Sequence, residues 1–131
     1  MARRTSRVLT EVELEFMQIL WDRGEATPEK IQDDLKERGR ILTGGSIRKV
    51  LSILMKKGYV ERRKQGKGFS HRASVQEKQA HGSMIRDLMN RAFDGSPSLM
   101  VAALLDAGSV PDEDMKTIER LITERKKEAG K

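Results

Sequence analysis

Between Thr43 and Gly58 the apolar residues keep a helical period, and directly after Gly58 the period drops to two. That change restricts the fold more than any other feature. Ile47, Val50, Leu51 and Leu54 recur at i, i+3, i+4 and i+7, one face of a helix, while Arg48, Lys49 and Ser52 fall on other faces. Thr43 or Ser46 can cap the start, because a short hydroxyl satisfies the orphan N–H groups of a first turn. Gly58 follows Lys56 and Lys57, a glycine stop after cations that suit the negative helix end. Past it, Tyr59–Lys64 and Phe69–Ala73 alternate around Gln65-Gly66-Lys67-Gly68, whose glycines supply the positive φ of a tight hairpin turn. Arg62, Arg63, Lys64 and Lys67 gather near its tip. An isolated hairpin is marginal, so this one is expected to lean on the helices through Tyr59, Val60 and Phe69. His71 is expected to be half-exposed.

Two helices precede the central one. Leu9 to Arg23 opens with a capping box, Thr10 and Glu13, and a hydrophobic staple, Leu9 and Leu14. Val12, Phe16, Ile19 and Leu20 form its buried stripe, and Trp21 packs in or near the core. Thr27-Pro28 starts the second helix, threonine as cap and proline at the first helical position. Ile31 and Leu35 point inward, and Gly39 closes it. Helix, tight break, helix and basic hairpin, in that order, is the layout of a winged helix-turn-helix, which places one helix in the DNA major groove.

Three more helices follow. Ser74 and Glu77 have the spacing of another capping box, opening a helix to about Phe93 with Met84, Ile85, Leu88, Met89, Ala92 and Phe93 on one stripe. Ser96-Pro97 opens a fifth helix containing Leu99, Met100, Val101, Leu104 and Leu105. Pro111 opens a sixth with Met115, Ile118, Leu121 and Ile122 inward. These helices have too little mass to bury their own stripes, so a self-association arm is expected. Candidate interface residues are Ile85, Leu88, Met89, Leu99, Val101, Leu104, Ile118 and Ile122. The rival arrangement packs the three helices back on the N-terminal module of a monomer. The expected organisation is a basic disordered arm over 1–8 carrying Arg3, Arg4 and Arg7, a winged-helix domain over 9–74, and a helical dimerisation region over 75–131. The fold class is mainly α with a small β-hairpin wing.

Composition narrows the chemistry. A net charge of +6 favours a polyanionic partner. With no cysteine, disulfides, thiolate metal sites and a cysteine nucleophile are excluded. His71 and His81 are too far apart for a convincing metal cluster. No phosphate loop or nucleophile turn accompanies the serines and carboxylates, so an enzyme is not expected. No apolar run approaches the roughly 20 residues that span a bilayer, and no signal peptide is evident. A cytoplasmic protein without cofactor, metal or membrane insertion is expected.

The strings Leu9-Thr10-Glu11-Val12-Glu13, Ile19-Leu20-Trp21, Ser46-Ile47 to Leu54, Lys56-Lys57-Gly58-Tyr59-Val60 and Leu99–Leu105 together resemble the penicillinase and methicillin-resistance repressors, the BlaI/MecI/CopY family. The match runs from Leu9 to about Glu124. The resemblance implies a homodimeric transcriptional repressor whose winged-helix module binds a pseudo-palindromic operator and whose C-terminal helices form the dimer. It also implies relief of repression through a membrane sensor pathway that ends in cleavage within the fifth helix. The matching bond is Ala103–Leu104, where the best-known members carry asparagine–phenylalanine. The copper-responsive members use a C-terminal cysteine cluster, which this chain lacks. Ile53 stands where the family often has arginine.

On this reading the cations neutralise phosphates and release counterions. Arg62, Arg63 and Lys67 are expected on phosphate or in a minor groove. Thr43 is expected on phosphate at the helix start, and Ser46 and Lys49 on base edges. Arg48 can do either, since its fork fits guanine O6 and N7. Two rival classes are a winged-helix module that binds another protein, and a regulator holding a small ligand among Met84, Met89, Met100 and Met115.

Overall fold

The computed structural model describes residues 8–130; the expected basic arm, with Arg3, Arg4 and Arg7, lies outside them. Six helices and one hairpin follow in order: α1 Glu11–Arg23, α2 Pro28–Glu37, α3 Gly44–Lys57, β1 Val60–Gln65, β2 Gly68–Ala73, α4 Glu77–Ala92, α5 Pro97–Asp106 and α6 Asp112–Ala129. Packing divides the chain into two compact units, one ending at Asp87 and one starting at Leu88, so α4 contributes to both.

In the first unit, local signals set the helix starts. Thr10 caps α1 and forms a reciprocal box with Glu13: its hydroxyl accepts from Glu13 N at 3.2 Å, and Glu13 Oε1 accepts from Thr10 N at 2.9 Å. Thr27 caps α2 with Pro28 behind it. Thr43, not Ser46, caps α3. Gly58 ends α3 in the left-handed region at φ 86°, a conformation that favours glycine. The core is Phe16, Met17, Ile19 and Leu20 of α1, Ile31 and Leu35 of α2, Ile47, Leu51 and Leu54 of α3, with Leu9, Ala26, Tyr59, Val60 and Ala80. Met17, absent from the expected stripe, is fully buried, because α1 is covered on a wider arc than one stripe.

One ion pair is buried within this unit. Lys57 Nζ, at the end of α3, donates to Glu13 Oε1 at 2.7 Å and to Val8 O at 3.0 Å; the two side chains are 6% and 7% exposed. The same carboxylate oxygen closes the α1 capping box, so the start of α1 and the end of α3 share one node. Removing either charge leaves the other desolvated and uncompensated. On the surface, Arg23 pairs with Asp34 and Arg40 with Glu15, tying α1 to α2 and to the connector that follows it.

The entry to α4 differs from the expected Ser74–Glu77 box. Ser74 instead donates its hydroxyl to Gly58 O at 2.9 Å, and Gln76 N donates to Gln79 Oε1 at 3.3 Å. The helix therefore starts two residues later than the serine suggests, because the carbonyl at the end of α3 takes the hydroxyl. Trp21 is half-buried, and its Nε1 donates to Val75 O at 2.9 Å.

The second unit comprises the end of α4, α5 and α6. Ser96 caps α5, its hydroxyl accepting from Leu99 N at 3.2 Å. From Leu88 to Gly130 no described residue is buried. Leu88, Leu99, Val101, Leu104, Leu105, Leu121 and Ile122 are all exposed, Leu99 to 55%. Met89, Ile118, Met100 and Met115 are half-buried. Among the described residues no helix is long and apolar enough to cross a membrane.

Candidate nucleic-acid interface

Two elements of the first unit carry the expected site residues, α3 and the hairpin. Because Ile47, Leu51 and Leu54 are buried, the opposite face of α3 is turned to solvent, and Ser46, Arg48 and Lys49 lie exposed there. No acidic residue occupies the first turn of α3, so its positive helix end is not neutralised within the helix. Thr43 and Ser46 are partly committed: Thr43 Oγ1 accepts from Ser46 N and donates to Ser46 Oγ, each at 3.1 Å. Both residues are exposed, so their remaining acceptor and donor capacity is open to solvent. The connector into α3 is fixed by Gln32 Nε2, which donates to Leu42 O at 2.8 Å. Beside it Ile41 is 80% exposed. Sequence patterning passed over this residue, because it falls in a connector with no period to mark it.

The hairpin pairs Val60 with Ala73, Arg62 with His71, Arg63 with Ser70 and Gln65 with Gly68. That leaves a two-residue turn, Gly66-Lys67, with Gly66 at φ 60°. Alternation puts Arg62, Lys64, Phe69 and His71 on one face and Arg63, Ser70 and Arg72 on the other. The two adjacent arginines therefore have separate fates. The Arg62 guanidinium lies 4.0 Å over the centre of the Phe69 ring. Arg63 forms a two-point pair with Glu25, Nε to Oε1 at 2.5 Å and Nη2 to Oε2 at 3.0 Å. The Arg63 hydrogen bond, helped by Ser70, holds the Glu25 carboxyl below its usual range and raises Arg63 in return.

The support of the wing differs from expectation in two places. Tyr59 and Val60 are buried, but Phe69 is 40% exposed and does not anchor the hairpin. His71, expected half-exposed, is only 3% exposed. The reason is a third segment: Ala26 and His71 exchange backbone hydrogen bonds at 2.9 and 2.8 Å, an antiparallel bridge that draws β2 at His71 against the module. Burial, and then the positive charge of Arg62, lower the His71 pKa from its ordinary value, and its Nδ1 has no hydrogen-bond partner.

A groove runs between the start of α2, the outer face of α3 and the Arg62 face of the wing. Arg48, Arg62 and Lys67 border it together with Thr27, Ser52 and Phe69. Three of the seven expected contact residues are thus brought to one groove. Thr43, Ser46 and Lys49 do not line it but stay exposed on α3, and Arg63 falls on the far face of the wing. Arg48 also lies 3.9 Å from Glu29, a loose and exposed pair. Lys49 and Lys67 have no ion pair among the described residues. Free cations on a convex helix beside a cationic groove can neutralise phosphates and present donors to acceptor atoms on bases. Among the described residues no group of three or more acidic or histidine side chains can hold a metal ion.

Known proteins resemble the chain over most of its length. The chain is 24% identical over 120 residues to the penicillinase repressor of Bacillus licheniformis, covering 90% of this chain and 91% of that one. It is 20% identical over 117 residues to the methicillin resistance regulatory protein MecI of Staphylococcus aureus strain Mu50, covering 89% and 94%. An uncharacterised 16.5 kDa protein of Latilactobacillus sakei is 27% identical over 123 residues, covering 94% of this chain and 83% of that one. The solved complex structure of hsRosR-S4 shares the fold at a TM-score of 0.55 and 16% identity, over 92% of each chain. The model of the penicillinase repressor family matches residues 9–124, and the chain belongs to that family of DNA-binding transcriptional repressors.

Proposed function

We propose that the protein represses transcription as a homodimer on a pseudo-palindromic operator, each copy placing α3 in the major groove and its wing beside it. The observation that carries this is the pairing of two surfaces: free cations on α3 and the wing, and uncovered apolar side chains on α5 and α6. Lys49 and Ser46 read base edges, with Arg48 reading guanine or holding phosphate. Thr43 and the first backbone N–H groups of α3 take a phosphate. Arg62 and Lys67 reach the backbone or the minor groove flanking the half-site, and Arg63, already satisfied by Glu25, adds less. Ile41 supplies an apolar contact, as a thymine methyl would accept.

Dimerisation through Ile85, Leu88, Met89, Leu99, Val101, Leu104, Ile118 and Ile122 sets two half-sites about 34–36 Å apart, or a multiple. Occupancy of a promoter operator then blocks transcription without chemistry. Relief comes when the dimer is weakened. Cleavage at Ala103–Leu104, through a membrane sensor pathway like that of the antibiotic-responsive relatives, would do so by breaking α5. That bond lies inside the helix, so a protease must first open it.

The test is selection of bound duplexes from genomic fragments with purified protein, followed by titration of Lys49→Ala and Arg48→Ala. The proposal expects an inverted-repeat site, and a greater loss on that site than on scrambled DNA, by about 1–3 kcal/mol for a base-reading residue. Equal losses on both duplexes would contradict base reading by α3. A folded dimer that shifts no duplex would make the module a protein-binding one.

A further inference from the structure

The Phe69 ring is the feature of the wing that structural support does not explain. It is 40% exposed on a hairpin whose anchoring is done by Tyr59, Val60 and the Ala26–His71 bridge. What it does touch is Arg62, whose guanidinium sits 4.0 Å above its centre. Stacking engages the flat face of a guanidinium and leaves the N–H groups on its rim unspent. No hydrogen bond or ion pair takes those groups among the described residues. The neighbouring Arg63 is the opposite case, with rim donors consumed by Glu25 in a two-point pair. His71, on the same face as Arg62, is kept neutral by burial and by Arg62 itself, so it adds no competing charge at neutral pH.

The geometry points to Phe69 as a positioning residue that holds Arg62 ready for an acceptor on the duplex, a phosphate oxygen or a minor-groove base edge. A free arginine loses rotamer entropy when it is immobilised on a ligand. An arginine already held over a ring has lost part of that entropy before DNA arrives, while its N–H donors stay unspent. Phe69 thereby raises affinity without touching DNA itself. The inference rests on the DNA-binding reading and assigns the wing one working arginine, Arg62, out of the adjacent pair.

The experiment uses the full chain and a duplex selected by the wild-type protein, with a scrambled duplex beside it. Phe69→Leu keeps apolar bulk and removes the ring face; Phe69→Tyr keeps the face. Phe69→Leu is expected to weaken binding about 3- to 10-fold, and Phe69→Tyr to remain within about twofold of wild type. In an Arg62→Ala background the Phe69→Leu loss should vanish. In the free protein, the Arg62 side-chain resonances should show an upfield ring-current shift that Phe69→Leu abolishes. An equal loss with and without Arg62, failure of tyrosine to rescue, or no ring-current shift would each overturn the proposal. Lys49→Ala separates the two levels. If it weakens binding while Phe69→Leu does not, only the platform falls. If the wild-type protein binds no duplex, the DNA-binding reading falls and this inference with it.

Discussion

The two halves of the chain differ in what completes them. The module from Leu9 to Asp87 encloses its own core: nine large side chains of α1, α2 and α3 are under 2% exposed. From Leu88 onward no described residue is buried, although α5 is apolar on nearly every face. A helix apolar all round is stable in water only inside something larger. The first region thus specifies a structure by itself, and the second leaves apolar side chains uncovered, which the proposed homodimer would cover. In the proposed dimer assembly can be the controlled step, since disturbing the uncovered half should leave the first unit, with its own core, folded.

Breaking the first half should cost the most and should not depend on protein concentration. Phe16→Ala, at a fully buried position, is expected to lower the unfolding free energy by about 3–5 kcal/mol, measured by denaturant titration at two concentrations. A concentration-dependent loss would mean that the module's core is not self-sufficient. Next in size is the second half. Leu104→Asp places a charge on the uncovered face of α5 and should weaken association by at least about tenfold, read by sedimentation. Its near-neutral effect on the module would be seen as an unchanged chemical-shift pattern for α1–α3. Unchanged association would remove α5 from the interface.

A smaller effect separates the cations within the first half. Lys67→Ala should reduce the salt dependence of DNA binding by about one counterion-release unit. Arg63→Ala should change it less, because Glu25 already balances that charge. The reverse order would show that the Arg63–Glu25 pair opens on DNA. The smallest effect concerns pH. Burial lowers the His71 pKa in the folded state, so below the ordinary histidine value the unfolded chain binds a proton that the folded chain refuses. Stability from this group is therefore present above that value and is lost as pH falls through it toward the folded pKa. His71→Gln should flatten that part of the stability–pH profile, and an unchanged slope would show that another group titrates there.

What could be read from the sequence followed the range of the interactions. The caps Thr10 and Thr27 and the stop at Gly58 were legible because each is decided within one helical turn; at α3 the sequence offered Thr43 or Ser46, two hydroxyls within the same turn, and the structure selects Thr43. The helix-turn-helix order and the hairpin turn followed from the change of period. The exchange of roles between Phe69 and His71 was not legible, because it depends on Ala26 bridging to a strand far along the chain. The Arg63–Glu25 pair and the buried Lys57–Glu13 pair were hidden for the same reason. Ser74 was misread as a cap because its spacing to Glu77 is right, while the carbonyl that takes its hydroxyl, at Gly58, lies outside any local pattern. In the candidate site, residue types on α3 and the wing were sufficient to nominate the cations. Only the register of the strands separated Arg62 from Arg63.

The most direct measurement is the mass of the purified chain by equilibrium sedimentation, alone and with the selected duplex. The account predicts a species of twice the 14.9 kDa chain mass in free solution, and two chains on each duplex. A species of single chain mass at micromolar concentration, or one chain bound per duplex, would contradict it.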